Sequence, residues 1–390
     1  MQIYKNSNRP ALILGGGVNA LGIVRSLGKQ DVPLIVMDTD AKSPAMRSRY
    51  GRKLLVSTLE GDELIKQLLA LARQFTGTLI LFVTEEKTVR TVSECREQLK
   101  AFFKIRLPQH ERLMQLMHKQ GFQELAEAIS APIPKTVRLQ HPDDLVHAEI
   151  LSFPCVLKPS EKNYQYGARF KKAYKILSMD ELKKWYLEIY PVMADMVVQE
   201  WIEGADSDIY FCLQYIGKDG EVVASFPGRK IRSWPIKIGG TASCTAAWEH
   251  EKELTATTQA FFNQVGFTGM GSMEYKRDER DGKFHMIEPT VARTDFQEEV
   301  ATINGVNIPL AAYQYECGLT SLNERVANPP LIWRDPQADR WALEEGGGII
   351  DERSQNYSVR DAYWRWDDPM PWIDLMQSRI SQRLTRPSPI

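Results

Sequence analysis

Residues 269–295 read GMGSMEYKRDERDGKFHMIEPTVARTD, and the way this stretch folds decides the rest. Two half-apolar runs, GMGSMEYKRD and GKFHMIEP, flank the polar hexapeptide RDERDG at 277–282. Short apolar runs on either side of a break rich in Asp and Gly predict an antiparallel hairpin. In such a hairpin Glu274 and Glu288 lie near each other, and directly paired side chains are ~5 Å apart. Two carboxylates that close repel unless a proton or a metal lies between them. Magnesium suits the pair, because it takes oxygen ligands and is typically held by one or two carboxylates together with nucleotide phosphates. The alternative is that each Glu pairs with Lys276 or Arg293, and the residues alone leave both readings open.

Upstream of the hairpin the texture is the same. After Pro191 come DMVVQEWIEG, DIYFCLQYIG, EVVASFPGRKIRSWP and TASCTAAW, short β-rich runs broken by glycines, as expected of antiparallel sheet. In VVQEWIEGADSD (197–208) an apolar strand reaches Glu200, passes Trp201 and Ile202, and turns at Gly204 before a group of acids. Backbone beside apolar side chains can hydrogen-bond an adenine, and Asp206 or Asp208 can accept ribose hydroxyls; a plain hairpin with a solvated acidic turn explains the same letters. FPGRKIRSWPIKIGG carries Arg229, Lys230, Arg232 and Lys237, and simple alternation puts Lys230 and Arg232 on one face. Charges guarding an edge strand are the alternative there. In FPCVLKPS (153–160) Lys158 closes an apolar strand just before Pro159, so its ammonium sits at the rim of a core, either for a phosphate or merely snorkelling. Lys119 stands upstream at a helix start.

The first hundred residues have a different rhythm. A strand (ALIL), a glycine turn (Gly15–Gly17), a helix at 19–29, a strand at 33–38, a helix at 61–74 and a strand at 78–84 predict a parallel sheet covered on both faces. GGGVNALG with Asp38 closing the second strand fits a dinucleotide-binding turn loosely, which gives an NAD(P)-dependent oxidoreductase as a competing function. The same corner serves any doubly wound domain, and such a helix N-terminus can hold a substrate carboxylate. From about residue 325 the chain is rich in Pro and Trp.

Composition narrows the classes. The 390 residues are 43% hydrophobic and 25% charged, ordinary for a globular chain of two or three domains. With 49 basic against 50 acidic residues, no overall field would gather nucleic acid or an anionic membrane. Five scattered cysteines with no C-x-x-C argue against a disulfide framework or a zinc site and point to a reducing cytoplasm. No run approaches the ~18 apolar residues of a membrane span.

Taken in order along residues 10–320, these segments resemble the ATP-grasp superfamily, and within it the carboxylate-amine ligases. The resemblance implies a Rossmann-like pre-ATP-grasp domain over 1–110 and a two-part ATP-grasp fold over 111–325, with a lysine-bearing subdomain at 111–192 and an antiparallel one at 193–325. Residues 326–390 form an extension. It implies ATP with Mg²⁺ or Mn²⁺, small carboxylate and amine substrates, and a homodimer. Lys119 and Lys158 would hold the phosphates, Glu200 to Ile202 would read adenine, and Asp206 or Asp208 would hold the ribose. Lys230 and Arg232 would face the transferred phosphoryl group or the substrate carboxylate. Glu274, Glu288 and Thr290 would bind the metal, and Arg293 would steady the acyl phosphate. The chain departs from the E-x-N-P-R pattern by placing Thr290 where an Asn stands and Arg293 one position late. His118 replaces an Asp before the first lysine, and the loop after Lys158 has only Gly167. These departures leave a catalytically silent ATP-binding homologue as a second alternative.

Overall fold

The fully apolar run Ala11–Leu14 (β1) has no solvent-facing side chain, so it belongs inside a sheet covered on both faces. In the computed structural model it is the centre of a five-stranded parallel sheet. Leu34–Asp38 (β2) and Leu79–Val83 (β4) flank it, with Arg52–Leu55 (β3) and Phe103–Lys104 (β5) at the edges, in the order β3-β2-β1-β4-β5. The structure describes residues 9–160, 164–171, 173–237, 239–295, 297–319, 330–346 and 358–385. These divide into a larger unit, Met1–Gly121 with Ala205–Glu274 and Glu288–Ile390, and a smaller one, Phe122–Gly204 with Tyr275–Ile287.

The larger unit also holds most of a seven-stranded sheet in the order β14-β13-β10-β11-β12-β15-β16. Its strands are Ile209–Ile216 (β10), Val222–Trp234 (β11), Gly240–Ala246 (β12), Gly269–Arg277 (β13), Phe284–Val291 (β14), Ile332–Arg334 (β15) and Val359–Asp361 (β16). β10, β11, β12 and β15 pair antiparallel, and β16 joins β15 in parallel. The two sheets share one core. Ile13, Val36 and Phe82 of the first, Phe211, Phe226 and Trp333 of the second, and Tyr313 of the helix Ile308–Cys317 all belong to it. The expected boundary at 325 lies outside the described residues, and the chain that follows is built into the sheet through β15 and β16.

The smaller unit carries a four-stranded antiparallel sheet, Thr136–Leu139 (β6), Cys155–Pro159 (β7), Tyr174–Ile176 (β8) and Met196–Glu200 (β9), in the order β6-β9-β7-β8. The helix Met179–Ile189 turns Leu182, Tyr186 and Ile189 into the core of this unit, against Leu157 and Val198. Its N-cap Ser178 accepts the Glu181 amide, satisfying an otherwise orphaned donor. The expected hairpin turn is closed by Asp278 N–H donating to the Lys283 carbonyl at 2.8 Å. Among the described residues no helix is long and apolar enough to cross a membrane.

Candidate active site

Lys230 anchors the chemistry of the larger unit. It is 4% exposed on β11. Its ammonium lies 2.7 Å from the carboxylate of Glu274 on β13, two strands away. Burial pushes the Glu274 carboxyl up, Lys230 opposes that, and the charges of Glu288 and Asp295 push it further up. Two further carboxylates therefore bear on Glu274 at the end of this sheet, opposed by its one buried ammonium. Glu288 is more open, and its nearest cation is Lys119 at 4.0 Å. The Thr290 hydroxyl donates to Asp295 Oδ1 at 3.1 Å, which leaves its lone pairs to accept from or ligate another group. Arg293 Nη1 is 3.8 Å from the same oxygen.

The displaced arginine has a local cause. Ala292 adopts φ 62°, a left-handed conformation that costs a non-glycine residue energy, so the residue before Arg293 is absorbed as a kink at the exit of β14. Gly271 lets the hairpin close there: a Cβ on it would stand 3.1 Å from the Thr290 carbonyl oxygen.

The expected common face of Lys230 and Arg232 is corrected. Lys230 pairs with Cys244 but Arg232 pairs with Ser243, so Ile231 is an extra residue, a β-bulge that breaks the alternation before Arg232, and the register shifts again between Arg232 and Ser233. Arg232 is 1% exposed and grips Asp339 of the helix Pro336–Glu344 by Nε at 2.6 Å and Nη2 at 3.0 Å. Ser243 donates to the same carboxylate at 2.6 Å. Arg232 is thus a structural ion pair on the far face. Asp206 accepts the amides of Ser233 and Lys237 at 3.1 and 2.9 Å, and Asp208 accepts the Ala205 amide at 2.7 Å. Both acids shape the turn around them.

In the smaller unit Lys158 ends β7, and its ammonium donates to Gln199 Oε1 on β9 at 3.1 Å. β9 runs between β6 and β7 rather than at an edge. The Glu200 amide is given to Lys135 and the Trp201 amide to Pro154. The Glu200 carboxylate accepts the Ser152 amide at 2.8 Å. Ile202 is buried just past the strand. Reading by residue type missed Lys175, whose ammonium lies 5.2 Å from the Trp201 ring centroid and 2.7 Å from Glu203. It missed Gln199 as well, although that residue stood beside Glu200 in the quoted motif.

The glycine turn answers to packing. A Cβ on Gly16 would lie 1.9 Å from Asp38 Oδ2 and from Ser43 Oγ, so the space that glycine leaves is filled by the acid a ribose would need.

The architecture is the ATP-grasp fold, shared with the solved structures named below. No known family profile matches it. The chain is similar to a D-aspartate ligase of Enterococcus faecium (strain Aus0004), 23% identical over 352 residues, spanning 85% of this chain and 80% of the relative. Among solved structures, phosphoribosylglycinamide synthetase from Anaerococcus prevotii superposes with a TM-score of 0.65 at 14% identity, over 84% of this chain and 80% of that one. The ADP complex of N5-carboxyaminoimidazole ribonucleotide synthetase superposes with a TM-score of 0.60 at 15% identity, over 85% and 82%. The Staphylococcus aureus N5-carboxyaminoimidazole synthetase does so with a TM-score of 0.62 at 13%, over 87% and 85%. Neither the oxidoreductase nor the silent-homologue reading gains support from these likenesses.

Proposed function

We propose that the chain is an ATP-dependent carboxylate-amine ligase that forms an amide or peptide bond through an acyl phosphate, releasing ADP and phosphate. The observation that carries this is Glu274 held 2.7 Å from buried Lys230, with the charges of Glu288 and Asp295 bearing on the same carboxylate, in a chain of ATP-grasp fold. Mutually repelling carboxylates with a hydroxyl beside them fit a hard divalent cation, so Glu274, Glu288 and Thr290 are the residues that would hold Mg²⁺. The ion, when bound, supplies charge neutralisation to phosphate oxygens.

The chain's own groups do the rest. In the larger unit Lys230 holds Glu274 in place and offers the one buried ammonium described at this end of the sheet. Arg293, steered by Asp295, is suited to an acyl phosphate, and Lys119 to a phosphate. In the smaller unit Lys158, aimed by Gln199, is suited to phosphate, and the chain around Glu200, Trp201 and Ile202 to adenine. Asp206 or Asp208 would take the ribose through lone pairs left over from their backbone bonds. A substrate carboxylate attacks the γ-phosphorus and ADP leaves; an amine then attacks the acyl carbon and phosphate leaves. Positioning and charge cancellation supply most of the acceleration. Five thiols outside any disulfide agree with a reducing cytoplasm.

The test supplies the purified chain with Mg-ATP, a panel of acids beginning with D-aspartate, and a panel of amines. ADP and phosphate are expected only when an acid and an amine are both present, with the amide read by mass spectrometry. Silence across every pair refutes the ligase. Glu288→Gln is expected to lower turnover by about 10²-fold or more with an unchanged melting temperature, since the side chain is largely exposed. Unaltered ADP formation in that variant removes the metal assignment.

A further inference from the structure

We infer that buried oxygens on the face of the helix Val18–Gly28 form a receptor for a small cation, carried as the ammonium group of the acid substrate or as a free alkali ion. This rests on the ligase reading for its substrate and on the following geometry for its site. Asn19, Thr294, Gln297 and Glu298 are 6%, 0%, 2% and 0% exposed. Asn19 Oδ1, Thr294 Oγ1, Gln297 Oε1 and both carboxylate oxygens of Glu298 are sealed from solvent without a hydrogen-bond partner among the described residues. The two segments touch: Asn19 Nδ2 donates to the Thr294 carbonyl at 2.6 Å, and Glu298 Oε2 lies 3.0 Å from where a Cβ on Gly22 would be.

Every one of these atoms is an oxygen. The Asn19 amide gives one of its two N–H groups to the Thr294 carbonyl, so its second N–H, the Gln297 side-chain amide, the Thr294 hydroxyl and any proton on Glu298 are the donors at hand for these acceptors. Leaving such groups unmade is expensive, and a donor-only cation supplies what the ones it reaches lack. The guanidiniums of this unit that lie nearby in sequence or contact are committed elsewhere. Arg25, on the same helix, bonds Asp368 and the carbonyls of Ala362 and Tyr363, and Arg365 bonds Glu299. Gly22 lets Glu298 approach the helix this closely, because any side chain there would press on it. The segment is continuous with Arg293 and Asp295, which ties the receptor to the end of the sheet where the carboxylates gather. Burial, with Glu299 beside it, pushes the Glu298 carboxyl well above the usual range, and a bound cation offsets that.

The experiment titrates the full chain without ATP, in a buffer whose only cation is N-methylglucamine. The probes are amino acids, each set against the acid lacking only the ammonium: aspartate against succinate, alanine against propionate. The ammonium form of the inference expects at least one amino acid to bind about tenfold tighter than its partner acid. Glu298→Gln and Thr294→Val should each shrink that gap while keeping the wild-type circular dichroism. Equal binding within every pair, together with a melting temperature raised by KCl in wild type and not in Glu298→Gln, assigns the receptor to a free alkali ion. Equal or absent binding with no KCl effect overturns the inference, as does a preference that survives in both variants. Deamino acids that support ADP formation as fast as amino acids also count against the ammonium form and leave the ligase intact. If no pair of substrates yields ADP, the ligase reading fails while the binding contrast is still read.

Discussion

Glu298 and Glu274 are both carboxyls raised by burial, yet they stand in opposite situations. Lys230 opposes the shift at Glu274, whereas at Glu298 the neighbouring charge, Glu299, adds to it. The native Glu298 binds its proton more tightly than the unfolded chain does, so above the ordinary Glu value of 4.5 the native state holds the larger number of protons. Stability contributed by this group is therefore present at low pH and declines as pH rises through its folded value. Glu298→Gln in the ligand-free protein should remove that decline. Urea unfolding at about pH 5 and about pH 8 checks it, with the variant gaining on wild type at the higher pH. No feature of FQEEV distinguished Glu298 from Glu299 in the sequence: both are buried, and the difference is that Arg365, 66 positions away, meets Glu299. Glu274 stood out in the sequence, since an acid interrupting an apolar strand is costly where that strand is buried, whereas Glu288 lies exposed.

At the scale of elements, a pattern was readable where its cause is local. The hairpin of β13 and β14 followed from alternation and a turn of Asp and Gly, and the parallel strands from unbroken apolar runs between amphipathic helices. The bulge at Ile231 was not readable, because alternation is a rule about a continuous ladder, and the partner strand β12 decides where the ladder slips. That one residue moved Arg232 from the presumed substrate side to Asp339, which lies 107 positions away and carried no signal of its own. Arg232→Met should leave the buried Asp339 carboxylate uncompensated and cost about 3–5 kcal/mol in denaturant melts. Arg232→Met with Asp339→Leu should recover most of the loss, and its non-additivity measures the pairing. Turnover of the double variant close to wild type is expected, which a phosphoryl-facing Arg232 would not allow.

For the molecule as a whole, the stretch near residue 360 matters more than its Trp- and Pro-rich composition suggested. β15 and β16 extend the seven-stranded sheet, and Asp368 meets Arg25 Nε at 2.9 Å, the Ser48 hydroxyl at 2.8 Å and the Arg49 amide at 2.8 Å. Arg25 and Asp368 are 1% and 0% exposed, so Asp368→Ala strands a buried guanidinium. It is expected to cost about 3–5 kcal/mol, seen as a lower melting temperature, with little change in the substrate constants of whatever protein stays folded. The partners are separated by 343 positions. During translation Arg25 leaves the ribosome long before its counter-ion exists, so the nascent chain must keep that helix solvated, or shielded by a chaperone, until synthesis has passed Asp368. Contacts this distant in sequence also slow folding, and a polypeptide stalled a few dozen residues short would be a substrate for quality-control proteolysis.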